Sequence, residues 1–204
     1  MPQAEVGFLA RDDKFDPKIA AEAALYNEYF GGDMSSVIFQ EIRESRALAY
    51  STWATYSTPP QPERSHYMRG YVGTQADKLK DATNGVMDLI KNMPVEPARM
   101  EASRAAMLKR LRNERITKAD IYWTIQQDKR MGYDHDSRKD TYERAQTITV
   151  EEVKAFQETH IKNKQFNIMV VGDKTKLDLE YLKTLGKVTE LTVQDVMGYD
   201  TNHP

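Results

Sequence analysis

Arg43 and Tyr50 stand seven residues apart, on either side of a helix-to-strand junction, in the stretch N-E-Y-F-G-G-D-M-S-S-V-I-F-Q-E-I-R-E-S-R-A-L-A-Y-S that fills residues 27–51. A guanidinium and a phenol are both hydrogen-bond donors. Held by a helix end and an adjoining strand, they can converge on one edge of a sheet. There they can hold a peptide carbonyl or stabilise a developing oxyanion. A purely structural reading of the same residues is also open. The helix dipole favours a cation in the last turn, and a tyrosine in a strand is ordinary.

Other chemistries find less support. The histidines are His66, His135, His160 and His203, and the closest two are 25 residues apart. No helical His pair exists, and neither H-x-x-E-H nor H-E-x-x-H occurs. No metal site is assigned, and His160, on a helix face with Phe156, reads as a packed histidine. The chain has no cysteine, which excludes disulfides and thiolate zinc sites. Gly31-Gly32 is followed by Asp33 without a Lys-Ser/Thr partner, so it reads as a helix stop and not a phosphate loop. No G-x-S-x-G is present. Glu151 and Glu152 read as capping-box and solvent-facing residues. Lys109, Arg110, Arg112 and Arg115 share their helix with Glu101 and Glu114 and read as a solvated face. With a net charge of −2, a nucleic-acid partner is not expected. No apolar run approaches the roughly 20 residues of a membrane span.

The elements that must position Arg43 and Tyr50 follow from pattern. Residues 5–10 form a short apolar strand. Asp16-Pro17 opens a helix whose stripe is Ala20, Ala23, Ala24, Asn27 and Phe30. Gly31-Gly32 closes it by accepting the left-handed conformation. Asp33, Ser35 and Ser36 are competent caps for a second helix reaching Ser45, with Val37, Ile38 and Ile42 buried. Residues 48–57 form a strand, and a loop with three prolines over 57–65 leads to a second strand over 66–73. That strand alternates His66, Met68, Gly70 and Val72 with Tyr67, Arg69 and Tyr71, so the two pair antiparallel. Helices are expected over 77–92 (with Leu79, Val86, Leu89 and Ile90 on one side), 99–116, 118–131 and 138–145, with Pro94 and Pro97 breaking the chain. Another helix opens at the capping box Thr149 to Glu152. A strand at 165–172, a helix within 173–185, a final short strand at 187–191 and a polar, docked or frayed tail complete the chain. Helices are grouped rather than alternating with strands, which favours an α+β two-layer sandwich: an antiparallel or mixed sheet covered on one face by helices.

The stretch N-x-x-F-G-G-x-x-S-S-x-x-F-Q-E-I-R-E-x-R-A-L-A-Y-S resembles the C-terminal, substrate-side domain of the pitrilysin, insulysin and mitochondrial processing peptidase family of zinc metallopeptidases. Its pattern is like G-G-x-x-S-x-L-F-x-x-L-R-E-x-x-G-L-A-Y-S. The matches are Gly31, Gly32, Ser35 or Ser36, Phe39, Arg43, Glu44, Leu48, Ala49, Tyr50 and Ser51. The strand ending Val170-Val171-Gly172-Asp173 fits the late part of the family pattern, and the resemblance extends over nearly all 204 residues. It implies that Arg43 and Tyr50 contact the peptide substrate near the scissile bond. Zinc would be held by an inverted H-x-x-E-H motif in a partner catalytic domain, in the same longer chain or in a partner subunit. This chain would hold no cofactor and, alone, would cleave nothing. The resemblance equally allows a non-catalytic structural or assembly domain of the same fold. Ala47 departs from the pattern, standing where the family has Gly, and a turn there with positive φ suits Ala poorly. The expected domain is 1–204, the last of a longer protein. The N-terminus runs almost at once into a strand with no signal-like segment, and the sequence does not choose between a periplasmic and a cytoplasmic location.

Overall fold

The structure, a computed structural model, describes residues 3–198. His203 and the end of the polar tail lie outside that range. Four strands form one antiparallel sheet in the order β2-β3-β1-β4: β1 (Ala4–Lys14), β2 (Ser51–Ser57), β3 (Ser65–Thr74) and β4 (Asn167–Gly172). Period-2 alternation sets the two faces. Val6, Phe8 and Ala10 of β1, Thr52, Ala54 and Tyr56 of β2, and His66, Met68 and Val72 of β3 are buried. The odd-numbered positions form the other face, where Trp53 stacks on Tyr71 and Met169 and Val171 stand exposed. The helices α1 (Ala20–Phe30), α2 (Leu79–Lys91), α3 (Pro97–Asn113), α4 (Ile121–Arg130), α5 (Ser137–Ala145) and α6 (Val150–Gln157) follow in groups between the strands. The two-layer α+β arrangement expected from the grouped helices is what the chain adopts. The pairing Ser51↔Gly73 through Ser57↔Tyr67 joins the two strands that flank the proline loop.

Helix α1 departs from its expected stripe. Ala21, Ala23, Leu25, Tyr26, Tyr29 and Phe30 are its buried residues, and at 3.6 residues per turn they span a little over half of its circumference. So wide an apolar face suits a helix enclosed by several elements, and α1 packs against β2, α3, α5 and α6 together. Asn27 of α1 is matched to the backbone of edge strand β2. The Asn27 amide donates to Tyr56 O at 2.8 Å, and Asn27 Oδ1 accepts from Tyr56 N at 2.7 Å. Gly31 closes the helix for a different reason than the one expected. Its φ is −142°, so no left-handed turn is involved. A Cβ at residue 31 would stand 2.0 Å from Ala54 O, and only glycine lets the helix end meet β2 so closely.

Other expectations need adjustment. Pro97 opens α3 at its first helical position, where its missing N–H is harmless. Ile121, Trp123 and Ile125 of α4 stand exposed. The strand expected at 187–191 is absent: residues 187–192 are non-regular and exposed throughout. With no buried face, nothing offsets the entropy of ordering that segment as a strand, and Lys174 pairs with Glu190 at 2.6 Å. Helix α7 (Leu179–Leu185) precedes this segment. The tail after it begins with a capped helix, α8 (Val193–Met197).

Candidate functional site

Arg43 lies on a π-helix, Phe39–Ser45, which begins after the capped turn at Asp33. Asp33 Oδ1 accepts from Ser35 N at 2.8 Å and from Ser35 Oγ at 2.7 Å, and Ser36 Oγ donates to Asp33 O at 2.6 Å. Val37, Ile38 and Ile42 are fully buried. Each such side chain contributes about 1.5–3 kcal/mol when removed from water, so the face opposite Arg43 fixes the helix. Gly85 of α2 permits the approach: a Cβ there would stand 2.9 Å from Ile42 Cδ1. π-Helical turns widen the helix locally and recur at functional sites.

The chain then turns at Ala47, whose φ is +49°. Alanine does take the left-handed conformation here, at a cost of about 1–2 kcal/mol. Four hydrogen bonds hold the turn. Leu48 N donates to Ile42 O at 2.9 Å, Lys78 Nζ to Ala47 O at 3.0 Å, Thr74 Oγ1 to Leu48 O at 2.6 Å and Tyr50 N to Gly73 O at 2.8 Å. At about 1 kcal/mol net each, they outweigh the backbone strain.

Arg43 and Tyr50 thus end on one anchored turn, and both reach solvent. The Arg43 side chain is 44% exposed and Tyr50 46%. The guanidinium lies over the Phe39 ring, 4.8 Å from its centroid, and 3.8 Å from Glu44. The Tyr50 hydroxyl accepts from Gln75 Nε2 at 3.2 Å, which leaves its own proton to donate outward. No hydrogen bond joins Arg43 to Tyr50 among the described residues, so each keeps donor capacity for a third party. Gln75 and Lys78, missed by sequence reasoning, sit beside Tyr50 because β3 runs antiparallel to β2. Their signal was the hairpin register, which a loop with three prolines does not fix in advance.

A second polar cluster, also missed, lies at the other end of the sheet. Asp12 Oδ2 accepts from the Tyr56 hydroxyl at 2.5 Å and pairs with His160 Nδ1 at 2.7 Å, and its other oxygen pairs with Lys164. Its side chain is 2% exposed. Burial pushes the Asp12 carboxyl up. Lys164, Tyr56, the Asp13 backbone and His160 outweigh that and hold it below its ordinary value. The Tyr56 phenol is driven far above its usual range by burial and by Asp12.

The described histidines do not make a zinc site. His66 Nε2 accepts from Asp16 N at 3.1 Å, and burial lowers its pKa. His135 is held between Asp134 at 2.6 Å and Asp140 at 2.8 Å, and these carboxylates raise its pKa. His160 is committed to Asp12. No group of three or more His, Cys, Asp or Glu among the described residues is arranged to hold a metal ion, so no metal-dependent step is assigned to them. No helix among those residues is long and apolar enough to cross a membrane.

The described residues thus form an antiparallel α+β domain with an exposed Arg–Tyr turn and no donor set arranged for zinc. Residues 2–107, just over half the chain, match the model of the peptidase M16 inactive domain, and the chain belongs to that family. A stretch of 67 residues, 33% of the chain, is 33% identical to the uncharacterized zinc protease YmxG of Bacillus subtilis (strain 168). The fold is shared with the peptidase M16 inactive domain from Pseudomonas fluorescens (TM-score 0.66, 21% identity, covering 84% of this chain and 41% of that one). It is also shared with the inactive peptidase domain of a zinc protease from Bordetella parapertussis (TM-score 0.68, 9% identity, 85% and 94% covered). The match spans 16% of YmxG, so the chain corresponds to a part of that relative.

Proposed function

We propose that this chain, as one domain over residues 1–204, is the substrate-side domain of a zinc endopeptidase. A catalytic domain bearing the H-x-x-E-H motif, in the same longer chain or in a partner subunit, supplies the zinc and the activated water. This domain closes over an extended peptide, and Arg43 and Tyr50 donate to a peptide carbonyl beside the scissile bond. The observation that carries this reading is the pairing of exposure with anchorage: two donors with spare hydrogens stand on a turn fixed by four hydrogen bonds. Family membership and the zinc-protease relatives support it.

The test is Arg43→Ala and Tyr50→Phe in the full-length protein. Loss of a donor that positions the peptide beside the scissile bond lowers turnover about 100-fold, with zinc content unchanged. Wild-type turnover in both variants would remove the role given to the pair and favour a domain that serves assembly.

A further inference from the structure

A small depression adjoins the phenol, lined by Ala47, Leu48, Ala49, Tyr50, Gln75 and Lys78, with a volume of about 50 Å³. Its polar side chains are Tyr50, Gln75 and Lys78: the Tyr50 proton is the one given to the peptide carbonyl, while the Gln75 amide keeps one N–H beyond its bond to Tyr50 and the Lys78 ammonium keeps hydrogens of its own. Lys78 brings the charge. Its ammonium spends one hydrogen on Ala47 O, and no carboxylate of the described residues lies within ion-pair distance of it. The neighbouring cations differ in this respect, since Arg43 has Glu44 at 3.8 Å and Arg46 has Glu41 at 3.6 Å. A half-buried cation without a counter-ion, beside a neutral amide donor, is arranged for an anionic oxygen. The volume suits a carboxylate better than a long side chain.

We propose that this depression is a carboxylate subsite. Lys78 pairs there with an acidic side chain, or with the C-terminal carboxylate, of the peptide whose backbone Arg43 and Tyr50 hold; this rests on the reading of that pair given above. Because Tyr50 itself lines the depression, the carboxylate falls within one or two residues of the held carbonyl, at about 3.3 Å of rise per residue. Peptides carrying a negative charge at that distance are therefore cleaved faster than neutral or basic ones.

A lysine that only clips the Ala47 carbonyl would slow every peptide alike, and that distinction defines the experiment. The full-length protein is assayed on matched peptides with Glu, Gln or Lys at each position flanking the scissile bond, each with a free and an amidated C-terminus. Wild-type kcat/KM falls from Glu to Gln to Lys, by about two- to fivefold per step, as for an exposed ion pair. Lys78→Glu inverts the order, Lys78→Met removes it and Lys78→Arg retains it. A preference that follows the free C-terminus and not the side chain identifies the chain end as the carboxylate source. A uniform loss on all peptides with Lys78→Glu overturns the subsite and leaves the Arg43–Tyr50 reading intact. Conversely, an inverted order in Lys78→Glu, with unchanged turnover in Arg43→Ala and Tyr50→Phe, overturns that reading and keeps the subsite.

Discussion

Two polar clusters occupy opposite ends of one sheet, and they use their hydrogen bonds differently. At the Asp12 end, Tyr56, His160 and Lys164 converge on one buried carboxylate, and their charges and donors are directed at one another. At the Tyr50 end, Arg43, Tyr50, Gln75 and Lys78 face solvent with donors to spare. The first arrangement ties β1, β2 and the segment after α6 into one unit. The second is ready for a carbonyl or a carboxylate from outside. Residue type alone does not separate them, since both contain a tyrosine and a cation. What separates them is burial together with the lysine's counter-charge, present for Lys164 in Asp12 and absent for Lys78 among the described residues.

The comparison breaks most sharply at Asp12. Asp12→Asn leaves Lys164 and His160 without their carboxylate, and loss of one partner from a buried ion pair costs about 3–5 kcal/mol. The urea midpoint of the variant measures it. The same difference should depend on pH. A carboxyl whose folded pKa is lowered adds stability that is fully present above its unfolded value, about 4, and is lost as pH falls through the lower folded value. The gap between wild type and Asp12→Asn therefore narrows as pH falls below about 4. A gap that vanishes already at neutral pH would mean that Asp12 is not held as a charged partner.

A smaller effect is expected at Ala47. A β-branched residue at positive φ is strained, so Ala47→Val costs about 1–3 kcal/mol, read as a lowered thermal midpoint. If Val is tolerated without loss, the turn that presents Tyr50 is not held in the left-handed conformation.

The smallest stability effect belongs to the other end of the sheet. Arg43→Ala and Tyr50→Phe should each alter stability by no more than about 0.5 kcal/mol, as for exposed positions away from the core. A loss of several kcal/mol by the same urea measurement would make the pair part of the scaffold and erase the contrast between the two ends.

Much of the framework was legible as pattern. The alternation from His66 to Val72 assigned the faces of β3, and Val37, Ile38 and Ile42 were recognised as the buried side of the Arg43 helix. The capping box at Thr149 was readable because it is local. Where a long-range contact decides the outcome, pattern misled. The stripe assigned to α1 held Ala23 and Phe30 but missed Leu25, Tyr26 and Tyr29, because the helix is enclosed from several sides, and 187–191 forms no strand because no face of it is covered. Of the candidate site, Arg43 and Tyr50 came from the resemblance of residues 27–51. Their physical chemistry alone left a structural reading open.

The sequence by itself determined most of the element types, the antiparallel pairing around the proline loop and the motif in which Arg43 and Tyr50 stand. These depend on residues close along the chain, where spacing translates directly into geometry. Only the tertiary structure decided that Gly31 is needed for its approach to Ala54, that Ala47 accepts the left-handed turn because four hydrogen bonds hold it, and that Gln75 and Lys78 stand beside Tyr50. It alone gathered Asp12, Tyr56, His160 and Lys164 around one carboxylate. Those four residues come from distant parts of the chain, and no local spacing records that folding will bury them together.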